Sequence, residues 1–274
     1  MKLISTCAAA CVLAFTMSLD AQAEDALDKI ETRGILTICA DPYNWPHSSS
    51  SDYPRGFDVE IFSQIAANNG WQTELYWSNT GTRGGLGRAL RNSIAKGRCQ
   101  IFAGIAIHPD NVDEIGEKGL VFSAPYLGLA YIPVVDPELA EVTSLEEIAQ
   151  HTDIGVAMST AMDGYLIDNG IERELYLGNR RVLDGLRNRE TKAAMVWAPA
   201  LAIERRRHKD ANYSLIDAFE PISGLRWNVG AAIPGSETRL IDLINSELAT
   251  MLADGTIESI VTGYQIPYFA PFPG

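Results

Sequence analysis

The stretch Ile35-Leu36-Thr37-Ile38-Cys39-Ala40-Asp41-Pro42, taken with Phe57 to Asn68 behind it, decides the fold class. Its first six residues are a short, nearly continuous apolar run that Asp41-Pro42 stops, which is the pattern of a strand. Phe57, Ile61, Ile65 and Ala66 then share one face by i, i+4 spacing, and Gly70 is a natural C-terminal stop, so the spacing predicts a helix. Gln72 to Trp77 is a second strand, and Leu86 to Ile94 a second helix ended by Gly97. Gln100 to Ile107 (QIFAGIAI) is a third strand with a continuous apolar core, and Gly128 to Val135 is another. Short apolar runs alternating with helical patterns predict an α/β fold with mainly parallel strands.

A second set of the same kind begins near Pro137. Ser144 caps a short helix with Glu146 and Glu147 in its first turn, where the helix dipole favours negative charge. Asp153 to Met158 is a strand, and Ser159 and Thr160 then cap a helix over Ala161 to Asn169. Arg181 to Arg187 is helical, Ala193 to Trp197 is a buried strand, and Pro199 opens a further helix at a position where its missing N–H does no harm. Trp227 to Ile233 is a strand, Glu237 to Leu252 is the longest helix, and Ile257 to Tyr264 is the last. A chain that leaves one lobe, builds a second and returns crosses between them twice. The expected division is lobe I over 24–136 and 232–274 and lobe II over 137–231, with a central cleft that is a default place for a small ligand.

Residues 1–23 read differently. Lys2 precedes a mostly apolar run, Leu3 to Leu19, and Ala21-Gln22-Ala23 fits the small-x-small rule for cleavage, so this is expected to be a secretory signal peptide. The run is shorter than the about 20 apolar residues of a membrane anchor. Export implies an oxidising compartment, in which disulfides persist. Cys39 lies late in the first strand and Cys99 at the start of the third. In parallel neighbours those ends are several residues apart at about 3.3 Å each, beyond the Cα separation of about 4.4–6.8 Å that a bridge needs, so two buried thiols are expected.

The 274 residues are 46% apolar and 21% charged, ordinary globular fractions, and the net charge is −13 with a pI near 4.7. An acidic surface repels phosphate backbones and anionic lipid, which argues against a nucleic-acid binder. No two of His47, His108, His151 and His208 stand at i, i+4, neither Cys39 nor Cys99 is in a CxxC, and no metal site is expected. Gly81 to Gly87 lacks the Gly-Lys-Ser/Thr ending of a phosphate loop and reads as a flexible turn. Asp110, Asp113 and Glu114 form no calcium-binding pattern and read as a solvated loop. No nucleophile or carboxylate pair stands out, so binding is expected rather than catalysis, with no cofactor.

Candidate ligand contacts follow from strand ends, because open α/β sheets bind ligands at the carboxyl ends of their strands. Asp41, Tyr43 and Trp45 follow the first strand. Trp197 ends a later one, and its indole offers a flat apolar face with one donor, suited to a planar or aromatic ligand. Ser159 and Thr160 precede a helix, where they either present N–H groups to an anion or cap the helix. Arg83 is a candidate carboxylate contact. Asp58 reads as a charge favoured at a helix N-terminus.

Several segments together resemble the family 3 periplasmic solute-binding proteins: Arg33-Gly34-Ile35-Leu36, Gly56-Phe57-Asp58-Val59-Glu60, Val121-Phe122-Ser123-Ala124-Pro125-Tyr126 and Ala253-Asp254-Gly255-Thr256-Ile257. The resemblance implies a two-lobe, type II periplasmic-binding-protein-like fold that closes over a small solute. Amino-acid binders of this family carry an Arg for the substrate carboxylate where this chain has Asn111, and an Asp for the ammonium where it has Trp197. An amide and an indole do not replace those charges. A narrower resemblance covers Cys39-Ala40-Asp41-Pro42-Tyr43-Asn44, Arg83-Gly84, Arg98-Cys99-Gln100, Ala194-Met195-Val196-Trp197-Ala198-Pro199 and Gly263-Tyr264-Gln265-Ile266-Pro267. These look like the quinoprotein-dehydrogenase-associated branch, which includes the J proteins of methanol oxidation. That branch implies a non-enzymatic periplasmic accessory or maturation factor whose partner is a pyrroloquinoline-quinone-dependent alcohol dehydrogenase. The alternative is a receptor that passes a small polar or aromatic solute to an ABC-transporter permease. An enzyme on the same scaffold would need a buried cleft carboxylate, for which Asp41 is the one candidate.

Overall fold

The computed structural model describes residues 25–216 and 219–273; the expected signal peptide lies outside the described residues. The strands are β1 (Ile35–Ala40), β2 (Tyr43–Asn44), β3 (Ser48–Ser49), β4 (Gln72–Trp77), β5 (Ile101–Ala106), β6 (Leu120–Phe122), β7 (Leu127–Val135), β8 (Ile154–Ala157), β9 (Arg173–Tyr176), β10 (Ala193–Trp197), β11 (Ser214–Leu215) and β12 (Arg226–Pro234). The helices are α1 (Ala26–Arg33), α2 (Phe57–Asn68), α3 (Gly85–Asn92), α4 (Pro109–Gly116), α5 (Leu145–His151), α6 (Ala161–Asp168), α7 (Asn179–Arg187), α8 (Pro199–Arg207), α9 (Thr238–Ala253) and α10 (Thr256–Gly263). No helix among the described residues is long and apolar enough to cross a membrane.

The main sheet runs β4-β1-β5-β12-β7-β10-β8-β9. Within each half the pairing is parallel, β4-β1-β5 on one side and β10-β8-β9 on the other. The two longest strands are the crossovers, and there the pairing is antiparallel, unlike the mainly parallel expectation. The first part of β7, Leu127 to Ala130, pairs with β12, and the second, Tyr131 to Val135, pairs with β10. Nine residues extend about 30 Å, enough to belong to both halves.

Apolar burial fixes each half. In α2, Phe57, Ile61, Phe62, Ile65 and Ala66 are all fully buried against the β1–β5 side, and each large side chain so buried contributes about 1.5–3 kcal/mol. The second half has its own cluster, in which Ile154, Val156, Met162, Leu166, Ala193 and Met195 pack together.

Two further expectations are corrected. Cys39 and Cys99 are bonded, with Cα atoms 5.7 Å apart. The strand register puts Cys39 beside Phe102, but the extended chain begins only at Ile101. Before it, a 3-10 turn over Ile94–Lys96 ends at Gly97, and Gln100 grips the Thr37 backbone twice, its N–H donating to the carbonyl and its Oε1 accepting from the N–H. Residue 99 is thereby folded over the strand instead of lying in line with its neighbour. The acidic stretch at Asp110, Asp113 and Glu114 is part of helix α4 rather than a loop. Pro109 stands in its first turn, and His108 caps it by accepting from the Asp110 N–H.

The C-terminal residues lie across both crossover strands. The Gly128 N–H donates to the Phe269 carbonyl at 2.9 Å. The Asn228 side chain accepts from the Phe272 N–H at 2.8 Å and donates to its carbonyl at 2.9 Å. Gly128 and Asn228 are register partners. A Cβ on Gly128 would lie 2.7 Å from the Phe272 ring and 2.8 Å from the Ala270 carbonyl oxygen, so only glycine admits this approach.

Candidate functional site

The loop from Asp41 to Gly56 leaves the carboxyl end of β1 and meets the carboxyl end of β10. Asp41 is buried. One oxygen accepts from the Tyr43 N–H at 2.7 Å, and the other from the Thr80 N–H at 2.6 Å and from the Thr80 hydroxyl. Its acceptor capacity therefore goes to shaping the loop. Asp41 lines a cavity of about 190 Å³ with Ser48, Thr80, Gly104 and Asn111. Asn111 donates to the Ala106 carbonyl at 2.9 Å.

Trp45 and Trp197, far apart in sequence, line one cavity of about 240 Å³ between the Asp41–Gly56 loop and helices α7 and α8. Arg206 lies over the Trp45 ring at 4.8 Å, and its guanidinium is 2.8 Å from Asp52. Trp197 packs edge-on to Tyr131 at 5.5 Å and Trp227 at 5.4 Å, which places an aromatic cluster on β10, β7 and β12 where the halves join. Asn179 accepts from the Trp197 N–H at 3.3 Å.

Of the other sequence candidates, Tyr43 is 75% exposed and Arg83 is exposed on the loop before α3. Ser159 and Thr160 lie at the start of α6, where much of the local donor capacity is spent internally. Asp163 accepts from the Ser159 N–H at 2.7 Å, and the Thr160 hydroxyl accepts from the Asp163 N–H at 3.2 Å. Arg173 Nε is 2.6 Å from Asp163. Its hydrogen bond, with the Ser159 N–H, holds the Asp163 carboxyl below its ordinary 3.8. A depressed carboxyl stabilises the fold above its unfolded value and loses that contribution as pH falls through the folded one. Carbon-detected NMR titration is expected to give Asp163 a midpoint below 3.8, and Arg173→Ala is expected to raise it. A wild-type midpoint at or above 3.8 contradicts the ion pair.

The sequence reading missed one group beside the Trp45–Trp197 cavity. His47 lines it. Its Nδ1 is 2.9 Å from Asp58 Oδ2, and the Tyr126 hydroxyl donates to Asp58 Oδ1 at 2.7 Å. Asp58 and Tyr126 are both 0% exposed. Burial, and then the Asp58 charge, push the Tyr126 hydroxyl well above its ordinary 10. Gly104, at φ +78°, makes room: a Cβ there would lie 2.3 Å from Asp58 Oδ2. A lone histidine between Pro46 and Ser48 carries no sequence signal for this pairing. Among the described residues, Asp184, Glu204 and His208 are close enough to share a metal ion, but the Arg187 guanidinium already meets both carboxylates, at 2.7 and 3.4 Å.

No family model and no curated protein matches the chain. Solved structures do. The L-cystine solute receptor of Neisseria gonorrhoeae, in its unliganded open conformation, superposes with a TM-score of 0.68 at 15% identity, over 87% of this chain and 95% of that one. An ancestral cyclohexadienyl dehydratase gives 0.67 at 18% identity, over 88% and 97%. The second substrate-binding domain of Lactococcus lactis GlnP, also open, gives 0.65 at 19% identity, over 84% and 95%. The fold is the two-lobe, type II periplasmic-binding-protein fold. In the type II fold β7 and β12 are the two crossovers, and the Trp45–Trp197 cavity lies where the two lobes meet.

Proposed function

We propose that this chain is a non-enzymatic solute-binding receptor that captures a small polar or aromatic solute and presents it to an ABC-transporter permease. The observation that carries this reading is the cavity to which the β1 side brings Trp45 and the β10 side brings Trp197. The cystine receptor and the GlnP domain are binding proteins by description, which supports it. In this reading lobe I is 24–136 with 232–274, lobe II is 137–231, and closure bends β7 and β12. In the same reading no residue is catalytic, and neither a cofactor nor a metal takes part. The receptor works in the periplasm after loss of residues 1–23, and N-terminal sequencing of the exported protein is expected to begin at Glu24. A thermal-shift panel of metabolites tests the reading. A solute at 100 times its Kd adds about 2.7 kcal/mol, which raises Tm by roughly 5–10 °C in a chain of this size. No shift with any solute would count against it.

A second reading is favoured by the Trp197-Ala198-Pro199 segment and by Asn111 in place of an arginine: an accessory factor for a quinoprotein alcohol dehydrogenase. Its test is a pull-down with the mature protein. Recovery of an alcohol dehydrogenase, with impaired growth on alcohols after deletion, would favour it over the receptor.

A further inference from the structure

The charges around the Trp45–Trp197 cavity are unbalanced. Glu204 is its one acidic lining residue. It is 2% exposed and held by Arg187. Arg207 and Arg180 also line the cavity. Arg207 makes no ion pair among the described residues, and Arg180 reaches only Asp184, at 4.0 Å. Across from them stands His47. Its ring is fixed by Phe57 at 4.6 Å and by Asp58 at Nδ1, so the nitrogen left for an occupant is Nε2. Leu183 and Ile203 stand beside the two indoles, and Asn44 and Asn179 are the uncharged polar residues of the wall.

We infer that this cavity takes a small planar organic anion, a single-ring carboxylate, with its ring against Trp45 and Trp197 and its charge at Arg207, Arg180 and His47. The volume, about 240 Å³, is below the about 300–1,000 Å³ that holds a drug-sized ligand, which suits an occupant of one ring. Indole faces suit a flat ring. Guanidinium groups suit a carboxylate, with which they form charge-assisted, often bidentate hydrogen bonds. His47 Nε2 stands on the same wall as a further polar contact for the carboxylate. A zwitterion fits poorly, because the single acidic side chain that would meet an ammonium is already engaged by Arg187. The inference rests on the receptor reading and specifies its solute class.

Calorimetry on the mature chain with benzoate, benzamide, cyclohexanecarboxylate and L-glutamine tests it. Benzoate is expected to bind at least about tenfold tighter than benzamide, its neutral isostere, and than the non-planar acid. Arg207→Ala is expected to cost benzoate about tenfold and to leave benzamide unchanged, and His47→Ala is expected to weaken benzoate. Arg207 is exposed, so the test survives if the His47 variant does not fold. Equal binding of benzoate and benzamide would overturn the inference, as would benzoate binding that Arg207→Ala does not weaken. Binding of L-glutamine without benzoate would overturn it and leave the receptor reading standing. Failure of these probes and of every metabolite in the thermal-shift panel would sink both.

Discussion

Asp58→Ala is expected to lower the unfolding free energy by about 3–6 kcal/mol, because the buried carboxylate loses two hydrogen-bonding partners at about 1.5–3 kcal/mol each. The Tyr126 hydroxyl, 0% exposed, would lose its acceptor and be left an orphan donor, and His47 would lose the contact at Nδ1. Asp58→Asn keeps the shape and one acceptor, and should cost less, about 1–3 kcal/mol. Urea denaturation of the two variants checks the order, and a loss below about 1 kcal/mol for the alanine variant would contradict it. The same network sets a pH limit. Tyr126 keeps its proton above pH 10 in the folded chain, and so does Tyr264, through burial and its hydrogen bond to Glu60. The unfolded phenols give theirs up near 10. The folded state then binds more protons, so stability should be intact below pH 10 and fall as pH rises beyond it. Asp58→Ala should flatten that fall.

The double replacement Cys39→Ser with Cys99→Ser is expected to cost about 4 kcal/mol. The bond spans a sequence separation of 60, and closing a loop of that length restricts the unfolded chain by roughly that amount. Both cysteines are at most 2% exposed, among Leu90, Ile94 and Phe102, so serine hydroxyls there would add a penalty for unpaired polar groups. At about 2–4 °C per kcal/mol, Tm should fall by on the order of 10 °C. Thermal melts of wild type with and without reductant should differ in the same direction. Intact mass showing two free thiols in the unreduced chain would sink this prediction.

What was legible in the sequence is what is decided locally. β1, α2, β5, β10 and α9 are apolar runs or one-faced spacings, and each formed within a few residues of its expected bounds. β9 escaped notice because it is an edge strand with no buried residue, so no alternation marks it. α4 buries only Ile115 and carries acids on its other faces, which reads like a loop. Partners at long range were not legible. β7 and β12 were recognisable as strands, but nothing local says that each pairs antiparallel with three others. The Cys39–Cys99 bond depends on a turn before β5 that strand geometry alone does not suggest. At the site, Trp45 and Trp197 were singled out by their place at strand ends and line one cavity, whereas Tyr43, chosen on the same logic, and Arg83, chosen as a carboxylate contact, are exposed. The His47–Asp58–Tyr126 network depends on a contact 68 residues apart in sequence, which no local pattern encodes.

In the receptor reading, the segment at Phe269 and Phe272 is expected to give the joint between the lobes a preferred sense of rotation. Bending toward that segment would drive the Phe272 ring and the Ala270 carbonyl into Gly128, where not even a methyl group fits. Bending away strips the hydrogen bonds at Gly128 and Asn228 one after another. The molecule should therefore swing along a single arc, stopped hard at one limit and sprung at the other, as a knee is.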